Sequence, residues 1–171
     1  MTSLDDITGI IIDTSIHIHR DLGPGLLESV YEAVLARALE RRSLMVQRRV
    51  AVAFEYDGMR FHDGLRLDLL VEGRVVVELK SVEATSAVHH KQLLTYLRLL
   101  KLPVGLLINF GEATLKQGLH RVVNNLAPCD SPELRVNQIS APTPSHAETR
   151  GSRRDLSPSS HGSGTRQLPP V

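Results

Sequence analysis

Apolar residues recur along this chain first at helical spacing and then in alternation. Ile7, Ile10, Ile11 and Ile18 return every three or four positions, which predicts a first helix up to about Arg20. The run Asp21-Leu22-Gly23-Pro24-Gly25 ends it. A second helix is expected from about Leu26 to Arg42. Leu27, Val30, Tyr31, Val34, Leu35, Ala38 and Leu39 form its broad apolar face, and Arg41 and Arg42 complement its C-terminal dipole. Strand-like runs follow: about Val46 to Tyr56, a turn at Asp57-Gly58, Met59 through Val71 with a break at Asp63-Gly64, and Val75 to Ser81. Val88 to Lys101 reads as a helix that Pro103 closes, Val104 to Phe110 as a buried fourth strand, and Leu115 to Leu126 as a last helix. The fourth strand rejoins the sheet through a crossover helix, so it should run parallel to the third. The expected fold class is α/β, with a central mixed four-stranded sheet flanked by helices.

The segment Leu67 to Ser81 interrupts this pattern with charge. Two apolar runs flank Glu72-Gly73, and into them are set Asp68, Glu78 and Lys80. Charged side chains are rarely buried unless paired or bound to metal. Glu78 and Lys80 share a strand face, and the turn decides whether Asp68 joins them. A two-residue turn of Glu72 and Gly73 pairs Val71 with Arg74 and sends Glu78 to the other face. A three-residue loop of Val71, Glu72 and Gly73, with Gly73 left-handed, pairs Leu70 with Arg74. Asp68 then lies diagonally from Glu78, about 7–8 Å away at the backbone, a gap two carboxylates bridge through one cation. The bland alternative is a solvated Glu-x-Lys pair. Against it, Leu70 and Val76 share the charged face, and Leu67, Leu69, Val75, Val77 and Leu79 fill the other, as in a strand covered on both sides. A divalent metal site for phosphodiester chemistry is the sharper expectation.

Composition sets bounds. Of 171 residues, the stretch from Ala127 to Val171 holds seven of the nine prolines, eight serines and no aromatic residue. It is expected to be a disordered Pro/Ser-rich tail, leaving one folded domain over residues 1–126. That domain carries 15 Lys plus Arg against 15 acids, so any nucleic-acid contact must come from a local patch. The candidates are Arg41, Arg42, Arg48 and Arg49, and Lys91, Arg98 and Lys101; a solvated face is the bland reading of each. Six aromatic residues give little support to base stacking along single strands. The lone Cys129 excludes an internal disulfide or a cysteine zinc cluster and fits a reducing compartment. Met1 to Asp6 lacks a signal peptide's charged start, and no apolar run is long enough to span a bilayer, so a cytoplasmic protein is expected. His17 and His19, and the adjacent His89 and His90, have the wrong spacing for a helical metal pair. Gly23-Pro24-Gly25 has no preceding strand and reads as a helix-to-helix turn.

Four separated motifs occur in order. Gly25-Leu26-Leu27-Glu28-Ser29-Val30-Tyr31 fits Gly-x-x-Glu-x-x-Tyr. Arg66-Leu67-Asp68-Leu69-Leu70-Val71 precedes Glu78-Leu79-Lys80. Gln92-Leu93-Leu94-Thr95-Tyr96-Leu97 and Leu106-Leu107-Ile108-Asn109-Phe110 follow. Over roughly residues 5 to 125 the chain resembles the PD-(D/E)XK nuclease superfamily, and within it the GxxExxY family of small bacterial proteins. The resemblance implies a restriction-endonuclease-like core and a Mg2+-dependent (or Mn2+-dependent) nuclease. Its metal ligands would be Asp68, Glu78, the backbone carbonyl of Leu79 and, as a third carboxylate, Glu28. For Glu28 the competing reading is an acid complementing the helix dipole. Lys80 would hold the attacking water and offset phosphate charge; Gln92 would orient a phosphate, with Tyr96 accessory or ordinary core. Nucleic acid is the expected partner, membrane contact is not expected, and a homo-oligomer is allowed. The alternative function is a non-catalytic module that keeps the fold and binds nucleic acid or a protein. A third reading is a structural charge cluster in which Lys80 neutralises Glu78.

Overall fold

The structure is a computed structural model that describes residues 2–124 and 134–136, all within a compact unit spanning Met1–Ser140. The expected tail and Cys129 lie outside the described residues, apart from Leu134–Val136. In chain order the elements are α1 (Leu4–Leu22), α2 (Glu28–Arg41), β1 (Val46–Tyr56), β2 (Met59–Val71), β3 (Val75–Lys80), α3 (Ala87–Leu100), β4 (Val104–Asn109), α4 (Leu115–Gly118), β5 (Leu119–Val123) and β6 (Leu134–Val136). A reciprocal capping box starts α1: Asp6 N–H donates to Ser3 Oγ at 3.0 Å and Ser3 N–H to Asp6 Oδ2 at 3.1 Å.

The mixed α/β class and the restriction-endonuclease-like arrangement hold, with more strands than expected. The sheet runs β5-β4-β3-β2-β1-β6, with β3 and β4 parallel and the other pairs antiparallel. The last helix is the main correction. It makes one turn and gives way at Gly118 to β5, which pairs with β4. A Cβ on Gly118 would collide with the Asn109 carbonyl, so a glycine lets the chain pass this close to β4. Val122 and Val123 suit the open strand edge better than a helix.

Two apolar layers cover the sheet. Ile7, Ile11, Tyr31, Leu35 and Leu39 from α1 and α2 pack on Leu69, Val71, Val75, Val77 and Leu79. Leu93, Tyr96 and Leu97 from α3 pack on Val52, Leu67, Leu70, Val76 and Leu107. Leu67 and Leu69 are two apart yet belong to opposite layers, which a regular strand forbids. The chain therefore rolls over at Asp68. Opposite it in β1, Arg49 lies between the pairs Arg48↔Leu69 and Val50↔Leu67 and adopts φ 50°.

Candidate metal centre

The turn between β2 and β3 fixes the geometry of the charged residues. Val71 pairs with Val75, so the loop is Glu72, Gly73 and Arg74, with Glu72 at φ 53° and Gly73 at φ 63°. The loop has three residues, as the same-face arrangement needs, but it sits one position later than expected. Leu70 pairs with Val76 rather than Arg74. Extending that register sets Asp68 directly across from Glu78 rather than diagonally. The regular ladder stops at Leu69↔Val77, because the next strand-to-strand bond is replaced by a side chain: Leu79 N–H donates to Asp68 Oδ2 at 2.8 Å.

That bond also orients the Leu79 carbonyl. Backbone groups alternate sides along a strand. The Lys80 carbonyl accepts from Phe110 N–H at 2.7 Å on the β4 side, so the N–H and C=O of Leu79 face Asp68. The Leu79 side chain is buried in the α1/α2 layer.

Glu78 is only 3% exposed. Its Oε1 accepts from Lys80 Nζ at 2.7 Å, while Oε2 is buried without a hydrogen-bond partner. Burial, then the charge of Asp68, push its carboxyl up to about 7, with the Lys80 hydrogen bond opposing. Asp68 is also raised: burial outweighs the Leu79 N–H bond and the Lys80 charge. Burial works against the Lys80 ammonium, but the hydrogen bond to Glu78 and the charges of Glu78, Glu28 and Asp68 outweigh it, so Lys80 is held above its ordinary range. Three groups that perturb one another in this way share one small volume.

The flanking helices supply the rest. Glu28 opens α2 and is exposed; its Oε1 accepts from Ser81 N–H at 3.2 Å, just past Lys80. An open depression of about 600 Å³ beside it is lined by Gly25, Leu26, Leu27, Glu28, Ser29 and Ser81. Tyr31, at the end of the same motif, is core: it stacks on Phe110 at 4.3 Å, and its hydroxyl donates to the Gly23 carbonyl at 2.6 Å. It thereby fixes the loop that leads into Glu28. On α3, Gln92 Nε2 donates to the Tyr96 hydroxyl at 2.6 Å. Tyr96 is buried in the α3 layer; its hydroxyl is raised by burial and then by the charge of Glu78, against the Gln92 bond.

Asp68, Glu78, Lys80 and the Leu79 backbone are thus brought together, with Glu28 at the rim and the Gln92–Tyr96 pair above. Among the described residues, no three His, Cys, Asp or Glu side chains are already gathered as a metal-ligand set. The donor chemistry nevertheless fits a hard divalent cation, which takes oxygen ligands and keeps several waters. The buried, partnerless Glu78 Oε2 beside a second carboxylate is an unsatisfied acceptor of the kind that a cation satisfies.

Two residues given no role on sequence grounds complete the setting. Asn109 is fully buried at the end of β4. Its Oδ1 accepts from Val82 N–H at 3.0 Å and Gly111 N–H at 3.1 Å, and its Nδ2 donates to the Val82 carbonyl at 2.8 Å. It pins the strand end that carries Lys80. A single amide inside Leu106-Leu107-Ile108-Asn109-Phe110 was the available signal. The other is Glu32, buried on α2 against Arg48 and Arg49; it lies one turn after Glu28, a spacing that marks the same helix face.

An antiparallel acid pair on a mixed sheet, at a point where the strand rolls over, defines a nuclease-like α/β domain. Residues 5–122 match the family model described as the PD-(D/E)XK nuclease superfamily, and the chain belongs to that superfamily. Members generally use divalent metals. No curated protein and no solved structure gives a match.

Proposed function

We propose that this protein is a Mg2+- or Mn2+-dependent nuclease of the GxxExxY type, hydrolysing phosphodiester bonds of a nucleic acid. One observation carries the reading. Glu78 Oε2 is buried without a partner, next to Asp68 and a protonated Lys80. A cluster built only for stability would satisfy that oxygen, since a buried unpaired acceptor costs about 1–3 kcal/mol and a charged one more.

In this reading Asp68, Glu78 and the Leu79 carbonyl hold the cation, with Glu28 reaching in from the α2 N-terminus. The bound cation supplies a water of lowered pKa and neutralises charge on the phosphate. Lys80, kept charged, donates to a phosphate oxygen or the attacking water instead of acting as a general base. The Gln92 amide and the Tyr96 hydroxyl orient the phosphate from above. Asn109 keeps Lys80 in register by fixing Val82.

A second reading is a non-catalytic module that keeps the fold and binds nucleic acid or a protein. The balanced charge of residues 1–126 favours it. Among the described residues, no helix is long and apolar enough to cross a membrane. In our reading the protein acts in the cytoplasm.

A cleavage assay separates the two. The purified chain should cut DNA or RNA with Mg2+ or Mn2+ and not with a chelator. Asp68→Ala and Glu78→Ala should each lower the rate by about a hundredfold or more. Cleavage that survives in both variants refutes the assignment.

A further inference from the structure

The proposed chemistry leaves a second charged cluster unused on the α2 side of the sheet. Glu32 is 5% exposed. Each of its oxygens accepts from a different arginine: Oε1 from Arg48 Nε at 2.9 Å and Oε2 from Arg49 Nε at 3.1 Å. Consecutive strand residues normally point to opposite faces. Two neighbours can reach one carboxylate only if the strand breaks between them. Arg49 makes that break with its left-handed φ of 50°, a conformation that costs a side-chain-bearing residue about 1–2 kcal/mol. Strain of this kind collects at functional sites.

The position of the break is informative. The pairs Arg48↔Leu69 and Val50↔Leu67 bracket it, so Arg49 stands across from Asp68. One arginine is enough to neutralise Glu32, and here two are spent. Neither guanidinium makes another hydrogen bond among the described residues. The side chains are 41% and 56% exposed, and only their Nε atoms are bonded to Glu32. The cluster keeps one net positive charge, anchored by a buried acid, beside the candidate metal centre. A rigid guanidinium pair with free N–H groups suits a phosphodiester.

We infer that Arg48 and Arg49, held by Glu32, form a phosphate subsite that grips the sugar-phosphate backbone of DNA or RNA next to the bond lying over Asp68. Glu32 is the positioning residue. The inference rests on the nuclease reading above and adds the contact that sets the strand's path.

The test is binding without metal, so that no cutting occurs. A short fluorescent DNA duplex and an RNA duplex of the same sequence are titrated in chelator at several salt concentrations. Each phosphate contact contributes about 0.9 to the slope of log affinity against log salt on B-DNA. Removing only the arginines leaves Glu32 buried and unpaired, so the variant used is Glu32→Gln with Arg48→Gln and Arg49→Gln, its fold checked by thermal melting. For at least one duplex the triple variant should bind more weakly, with its salt slope lower by about 1–2; which duplex responds tells DNA from RNA. Arg48→Lys with Arg49→Lys should keep most of the slope, because the charges remain. Arg121→Gln, on β5 four strands from β1 and paired with Asp5, should leave it unchanged. A folded triple variant with the wild-type slope on both duplexes overturns the subsite and leaves the nuclease reading standing. A wild type that binds neither duplex overturns both.

Discussion

The two faces of β3 differ completely over six residues. Val75, Val77 and Leu79 enter a dry layer under α1 and α2, and each is satisfied by packing alone. Val76 starts the other face the same way, but Glu78 and Lys80 then bring charge under α3. The strand backbone is common to both faces, so the charge is no general weakness of the sheet. It is confined to the end where β2 rolls over and Asp68 replaces a ladder bond. The lesson is that the fold and the candidate chemistry are separable on one strand. Substitutions on one face should cost stability, and substitutions on the other should cost function.

The largest stability effect belongs to the dry face. Leu79→Ala should lower unfolding free energy by about 2–5 kcal/mol, as core truncations do, read by denaturant melts. A loss well below 1 kcal/mol would mean that this face is not the close-packed one.

Glu78→Gln should act in the opposite direction. The folded-state value is about 7 and the reference value 4.5, so the folded protein holds this proton more tightly. Its stability is therefore highest below about 4.5, falls as pH rises through 7, and is fully reduced by pH 8. The shift corresponds to at most about 3 kcal/mol, less what Lys80 loses with its partner. In chelator at pH 8 the variant should melt higher than the wild type, and near pH 5 the two should converge. A variant less stable than wild type at pH 8 would identify the Glu78–Lys80 pair as a net stabilising salt bridge and remove the contrast between the faces.

Asn109→Ala sharpens the comparison from the neighbouring strand. It leaves the Val82 N–H, the Val82 carbonyl and the Gly111 N–H without their side-chain partner. A loss of about 1–3 kcal/mol is expected, together with reduced cleavage because Lys80 is no longer fixed. Unchanged cleavage in the folded variant would separate Asn109 from the candidate site.

Much of this was legible in the chain. Periodicity placed α1, β1, β2 and α3 within a few residues of their ends, because those segments bury one regular face. Asp68, Glu78 and Lys80 stood out because acids and a lysine interrupt apolar strands. The Glu72–Arg74 loop was harder: left-handed Glu72 precedes Gly73, and turn chemistry alone pointed one residue earlier. β5 was missed because its pattern also fits a helix, and only the open edge of β4 decides between them. Glu32 and Asn109 were invisible as site neighbours because their partners, Arg48 with Arg49 and Val82, are 16 or more residues away in sequence.

Calorimetric titration of the metal-free chain with Mn2+ at pH 8, alongside Asp68→Asn and Glu78→Gln, tests the central claim most directly. The account predicts one ion bound per folded wild-type chain and uptake abolished or weakened about tenfold or more by either substitution. No uptake by the folded wild type, or equal uptake by both variants, would contradict it.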